Sequence, residues 1–371
     1  MNSNIDKYPE MDIRKLKIDL QSYGVHCGEG TSGGRASGAG PAGSMTFLIG
    51  RTQINAPFAE HTGRQSSYKL EKDGNGAFLK NGDSIVSEVN LISPPLFYGM
   101  KTESGTSYKK IALLHGMDCL ATTLIQKCDF WAQGEKCRFC AIEFSLACGT
   151  TIAEKTPQDI AEVAAYAKLH DEVSHITLTS GSLNDHSSHI NYLAESIRMI
   201  KDSSYLPVHV QIIPNNDLSS SLQKLKQAGA DTIGIHIESF DDRVREKMTP
   251  AKSLISVATF KDAWKESVSL FGKNQVSSFI ITGIGESFQS VIDGSEMLAE
   301  IGVYPFVLPL HPIPGTEAFE LGTPDPDYQD KVYRKVSAIT KKYGLSSERS
   351  KAGCVRCSAC SAMKEYEETL S

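Results

Sequence analysis

The segment CDFWAQGEKCRFC places Cys128, Cys137 and Cys140 within thirteen positions, spaced C-x8-C-x2-C. Thiolates two residues apart can reach one metal centre together, and a loop can bring the third to the same place. A structural zinc ion is closed by four ligands, whereas a [4Fe–4S] cube held by three cysteines leaves one iron for an external ligand. Cys148 would supply a fourth thiol, so a closed zinc site stands beside the open cluster as a reading. A second group, GCVRCSACSA, spaces Cys354, Cys357 and Cys360 as C-x2-C-x2-C. Thiols this dense in a reducing compartment indicate an auxiliary iron–sulfur site, with zinc as competitor and Cys27 as a conceivable further ligand. Cys119 and Cys148 read as small buried hydrophobes without a role.

The elements that must position these groups are legible from about residue 119 onward, where β-branched runs alternate with amphipathic stretches as in βαβ units. Strands are expected at 120–127, 175–179, 207–213, 232–238, 276–282 and 305–310. Helices are expected after 156, where Thr156 caps, Pro157 opens and Asp159 charges the first turn, and at 187–201, 218–227, 253–271, 287–301 and 327–343. Six βα units predict an α/β fold, a (βα)6 partial TIM-type barrel over 111–320. Its chemistry would sit on loops leaving the carboxyl ends of the strands, where the first cysteine group lies. Residues 1–110 read as a small β-rich region, with a hairpin turning at Gly50-Arg51 and a Gly-rich stretch, 28–43, that forms a mobile loop or backbone cradle. Residues 321–371 read as a helix and a cluster-binding tail. Alternation along 232–238 puts Ile233, Ile235 and Ile237 on one face and Gly234, His236 and Glu238 on the lumen face. In the same way 207–213 turns His209 and Gln211 inward.

A cysteine triplet after the first strand of a βα barrel, with Phe139 before the last cysteine, resembles the radical S-adenosylmethionine (SAM) superfamily. The first gap of eight residues departs from that superfamily's common C-x3-C-x2-C. The wider pattern, LATTLIQKC, HITLTSG, AGADTIGIHIES, QVSSFIITGIGES and GVYPFVLPLHPIPGT, resembles a poorly characterised radical SAM subfamily found beside nitrilase genes, over about 120–316. The barrel is distantly similar to those of biotin synthase and lipoyl synthase. The resemblance implies that Cys128, Cys137 and Cys140 hold a [4Fe–4S] cluster whose free iron binds SAM. It implies reductive SAM cleavage to a 5′-deoxyadenosyl radical, hydrogen abstraction from a small-molecule substrate, and a reductant such as flavodoxin or ferredoxin. The substrate would contain nitrogen if the nitrilase neighbourhood is meaningful. Thr179, Ser180 and Gly181 occupy the place of the superfamily's GGE-like segment, and Gly283 and Gly285 that of the adenosine-approaching segment. Together with Gln211 and Glu238 they are the expected SAM contacts, and His311 is a candidate substrate contact. Cys354, Cys357 and Cys360 would hold an auxiliary [4Fe–4S] cluster. Two alternatives stand beside this reading: sulfur insertion with the auxiliary cluster as donor, and a non-catalytic zinc or iron–sulfur protein.

The 371 residues are 40% hydrophobic and 22% charged, ordinary for a globular chain. A formal net charge of −6 gives no basic excess for a phosphate backbone, so nucleic acid is not an expected partner. No apolar run reaches membrane-spanning length and the start MNSNIDKYPEMDIRK has no apolar leader, so no membrane partner and a cytoplasmic location are expected.

Overall fold

The structure, a computed structural model, describes residues 11–28 and 43–368. Most of the Gly-rich stretch therefore lies outside the described residues. A helix at Ile13–Tyr23 comes first, capped by Asp12, whose carboxylate accepts from the Arg14 N–H. The β-rich reading of this region missed it, although Ile13, Leu16 and Leu20 have helical spacing. Seven short strands follow: β1 (His26–Cys27), β2 (Ser44–Ile49), β3 (Thr52–Pro57), β4 (Tyr68–Asp73), β5 (Gly76–Asn81), β6 (Ser84–Glu88) and β7 (Asn90–Leu91). They form two small sheets, and Ile49 pairs Thr52 across the expected Gly50-Arg51 turn. Leu16, Leu20, Phe47, Ile54, Leu70 and Leu79 give this region a core of its own.

The main sheet has seven strands in the order β14-β13-β12-β11-β10-β9-β8. Its members are β8 (Leu113–His115), β9 (Cys119–Thr123), β10 (His175–Thr179), β11 (Val208–Ile212), β12 (Thr232–Ile235), β13 (Val276–Thr282) and β14 (Tyr304–Pro309). β9 to β14 run parallel in sequence order, and β8 adds an antiparallel edge that the sequence reading did not include. The sheet is open, so the barrel is partial, as expected. β9 is shorter than 120–127, because the chain leaves the ladder after Thr123 and only Ile125 bridges again, to Glu154. β12 ends at Ile235 rather than at 238, and Glu238 then adopts φ 63°.

Parallel strands are covered by their crossover helices, which explains their near-continuous apolar runs. Ile176, Val208, Val210, Ile233 and Ile235 face Ile160, Val163, Leu193, Leu222, Phe260 and Trp264 in one contiguous core. Trp264 is fully buried, and its indole N–H donates to the Ile235 carbonyl at 2.9 Å, so the large ring leaves no polar atom stranded. The helix Pro157–His170 starts as its residues dictate, with the Thr156 hydroxyl accepting from the Asp159 N–H at 3.0 Å. The C-terminal tail folds back under the sheet. Its anchor is a buried ion pair between Lys17 Nζ and Glu365 (2.9 Å), with Nζ also donating to the Ser358 carbonyl at 3.0 Å. No helix among the described residues is long and apolar enough to cross a membrane.

Candidate active site at the mouth of the half-barrel

The loop carrying the first cysteines is tied down from three directions. The Gly181 N–H donates to the Ile125 carbonyl (2.8 Å), and the Asp129 N–H to the Ser182 carbonyl (2.8 Å), joining the loop after β9 to the end of β10. The Arg138 N–H donates to the Met248 carbonyl (2.8 Å), and the Arg138 carbonyl accepts from the Ala318 N–H (3.0 Å). Between Cys137 and Cys140 a turn closes with the Cys140 N–H on the Cys137 carbonyl at 3.0 Å. The Cys128 N–H donates to Glu143, and Cys128 Sγ itself accepts from the Ser182 N–H at 3.4 Å. Gly181 is obligatory: a Cβ there would lie 1.8 Å from the Lys127 carbonyl oxygen and 3.0 Å from the Cys128 Cα.

Cys128, Cys137 and Cys140 line one cavity of about 250 Å3 at the carboxyl ends of the strands. Of the expected SAM contacts, Thr179, Ser180, Gly181, Gln211 and Glu238 line it too. Gly283 and Gly285 do not. Gly283 packs on Pro324, and its N–H donates to Glu286, so these glycines shape the turn into the helix Phe288–Ile301, which Ser287 caps. His311 is likewise absent from the cavity wall, and its Nε2 approaches Gly43.

Lys252, in the short helix Pro250–Ser253, is the cavity residue that sequence reasoning missed most clearly. Its ammonium pairs with Glu238 Oε1, and both groups are buried. Burial works against the Lys252 charge, but the Glu238 carboxylate outweighs it and holds the pKa above its usual value. Among the described residues Glu238 Oε2 has no hydrogen-bond partner, nor has His236 Nε2 or His189 Nε2. A non-glycine residue at φ 63° costs on the order of 1 kcal/mol, and such strain concentrates where a side chain must be aimed. The geometry is enforced by β13: the Glu238 N–H donates to the Phe279 carbonyl (3.0 Å), and its carbonyl accepts from the Ile281 N–H (2.8 Å). Burial lowers the His189 pKa to about 4 and raises that of Cys137 to about 12. His189 is therefore neutral at pH 7. The buried Cys137 thiol needs a metal partner to lose its proton.

The donor set fits the implied group. Three thiols share a cavity with an unsatisfied carboxylate oxygen, a strong acceptor for the amino and hydroxyl donors of SAM.

The second cysteine group lies at the opposite, amino-terminal end of the strands. Cys354 and Cys357 line a second cavity of about 340 Å3 with Cys119 and His115. Cys140, Thr179, Ser180, Gln211 and Phe279 line both cavities, so one lumen runs from the first thiols towards the second. Cys119, given no role from sequence, is 2% exposed and packs against Cys357. Cys27, the ligand considered from sequence, is instead exposed on β1, in register with Leu70 of β4.

Comparison with known proteins agrees with this geometry. The Radical SAM superfamily profile matches residues 134–298. Bacteriochlorophyllide c C-7(1)-hydroxylase of Chlorobaculum limnaeum is 26% identical over 140 residues, which is 37% of this chain and 34% of that one. The match thus spans about a third of that relative's length. The solved structure of methylornithine synthase superposes with a TM-score of 0.50 at 14% identity, covering 72% of this chain and 79% of that one. A radical SAM methyltransferase from Sphaerobacter thermophilus covers 81% of both chains at 12% identity and a TM-score of 0.47. The first of these superpositions speaks for the fold alone. The profile match falls on the half-barrel and includes Cys137 and Cys140, and over residues 134–298 this chain is similar to the radical SAM superfamily.

Proposed function

We propose that this chain is an enzyme that binds SAM at a [4Fe–4S] cluster held by Cys128, Cys137 and Cys140 and abstracts hydrogen from a small molecule bound in the lumen. When bound, the cluster and SAM supply a 5′-deoxyadenosyl radical, the hard chemistry that no side chain provides. The observation that carries the reading is the convergence of three thiols and the unpartnered Glu238 Oε2 on one cavity.

The protein's own part is to hold, aim and exclude. The three cysteines bind, and the stapled loop fixes their separation before metal arrives. Glu238 accepts a donor of SAM through Oε2, while Lys252 neutralises its charge through Oε1. Thr179, Ser180 and Gln211 add short polar side chains, and Phe139, Ile212 and Ile281 wall the cavity with apolar surface that keeps water from a reactive carbon radical. Below them the lumen widens to about 340 Å3, the scale of a small-molecule site. The auxiliary cluster is assigned to Cys354, Cys357 and Cys360. The electron comes from a small redox protein of the flavodoxin or ferredoxin type.

The test is anaerobic reconstitution with iron and sulfide, reduction in the presence of SAM, and chromatography for 5′-deoxyadenosine. Product from the native chain and none from Cys137→Ala supports the proposal. Bound zinc without product, or undiminished product from Cys137→Ala, overturns it.

A further inference from the structure

The Cys354 group brings three local thiols, and its fourth ligand decides whether the auxiliary centre has an open iron. β8 and β9 form a hairpin at the amino-terminal end of the main sheet, in which His115 stands directly opposite Cys119. Residues opposite one another on an antiparallel pair point to the same face, and here that face meets the tail. Gly116, at φ 62°, lets the tail close in, since a Cβ at that position would lie 2.8 Å from Cys357 Sγ. Gln53 bridges the two segments, its amide NH2 donating to the Cys357 carbonyl and its Oε1 accepting from the Met117 N–H. Cys119 and Cys357, each 2% exposed, pack together with Ala359, and Cys354 lies within electrostatic reach of Cys119, Cys357 and Cys360.

The surrounding polar groups have the character of a supporting shell. Thr177 Oγ1 lies 3.4 Å from Cys119 Sγ, Asn55 Nδ2 donates to Cys360 Sγ at 3.4 Å, and His115 Nε2 lies 3.3 Å from Cys360 Sγ. The Gly353 N–H, beside Cys354, donates to His175 Nδ1 at 3.2 Å. Hydrogen bonds to the sulfurs are what tune an iron–sulfur potential. A thiol buried against Cys357 and close to Cys354 is the remaining donor of the right chemistry, and the His115 imidazole is already engaged with the Cys360 sulfur.

We propose that Cys119 is the fourth protein ligand of the auxiliary cluster, giving a four-thiolate [4Fe–4S] centre with no open iron. The inference rests on the auxiliary cluster of the proposed function and deepens it. A centre closed in this way has no corner for substrate, so it carries electrons at the floor of the lumen and pins the tail to the main sheet.

The test uses the full chain with Cys128, Cys137 and Cys140 all changed to Ala, so that iron can report only on the second site. Reconstituted anaerobically, this parent takes up about four irons and resists mild ferricyanide. Adding Cys119→Ser exposes one corner, and the same oxidant then removes about one iron of the four, giving the paramagnetic signal of a three-iron cluster. Cys119→Ala serves as the second variant should the serine ligate. Cys27→Ala stays at four irons, and His115→Ala keeps four irons with a shifted reduction potential. The assignment is overturned if both Cys119 variants resist oxidation like the parent, or if His115→Ala or Cys27→Ala loses the iron instead. If the parent binds zinc or no metal, the auxiliary cluster falls with it, while 5′-deoxyadenosine formation by the native chain still judges the SAM site separately.

Discussion

Gly181→Ala is the substitution whose consequence can be worked most fully from the geometry. The new methyl carbon would stand 1.8 Å from the Lys127 carbonyl oxygen. An ordinary contact is about 3.5 Å, so the ends of β9 and β10 must part by about 1.7 Å, through backbone on both sides. That movement breaks the Gly181 N–H bond to Ile125 and drags Cys128 away from Ser182. Overpacking of this kind costs about 1–3 kcal/mol, which leaves a domain of this size folded. A misplacement of about 1 Å at a reacting centre costs about 100-fold in rate, so SAM cleavage should fall at least that far. The assay measures 5′-deoxyadenosine per unit time in reconstituted protein, beside iron content and far-ultraviolet circular dichroism. Gly99→Ala is the control, because nothing lies within 4 Å of its added Cβ, and its rate should stay within about threefold of native. A Gly181→Ala protein with full iron and native rate would refute the claim that this crossing positions Cys128.

Glu238→Gln removes the carboxylate while Lys252 stays charged and buried. SAM affinity should weaken by about 10- to 100-fold, since a hydrogen bond to a charged group contributes about 1.5–3 kcal/mol, and equilibrium binding to reconstituted protein checks it. Lys17→Met leaves the Glu365 carboxylate buried without its cation, which should cost about 3–5 kcal/mol in urea unfolding. Lys17→Met with Glu365→Leu should recover most of that loss. His189 has a folded pKa of about 4 against 6.5 when unfolded, so the unfolded chain binds more protons between these values. Its contribution is therefore full above pH 6.5 and is lost as pH falls towards 4. Urea unfolding of metal-free protein should show about 2 kcal/mol less stability at pH 5 than at pH 7 from this group, and His189→Gln should remove that part of the slope.

The parts of this fold that were legible in the sequence are those where local and global preferences agree. β10 and β13 stand at the expected residues, because buried parallel strands are apolar runs bounded by turns, and the helix at 157 begins on its Thr-Pro-x-Asp signal. The three mouth cysteines and five of the seven expected SAM contacts line one cavity because most of them stand on or beside the loops leaving the carboxyl ends of the strands. Other features arise from tertiary contacts that no local pattern records. Lys252 sits in a single helical turn with no periodicity, and its meaning comes from Glu238, which lies across the cavity mouth. β8 has three residues, too few for alternation to register, yet it brings His115 opposite Cys119. Cys119 itself looked like a small apolar residue because Cys357, which packs against it, lies more than two hundred positions away in the chain. Gly283 and Gly285 both take positive φ in the turn before the helix Phe288–Ile301, and Gly283 packs on Pro324, a neighbour that no local pattern records.

The central claim is an iron left open by the protein at the mouth of the half-barrel. It is tested most directly by electron paramagnetic resonance of the reduced chain carrying Ala at Cys354, Cys357 and Cys360, recorded with and without SAM labelled with 15N at its amino group. The account predicts a [4Fe–4S] spectrum that changes on adding SAM and acquires hyperfine coupling to the labelled nitrogen. A spectrum indifferent to SAM, with every iron already ligated by the protein, would contradict it.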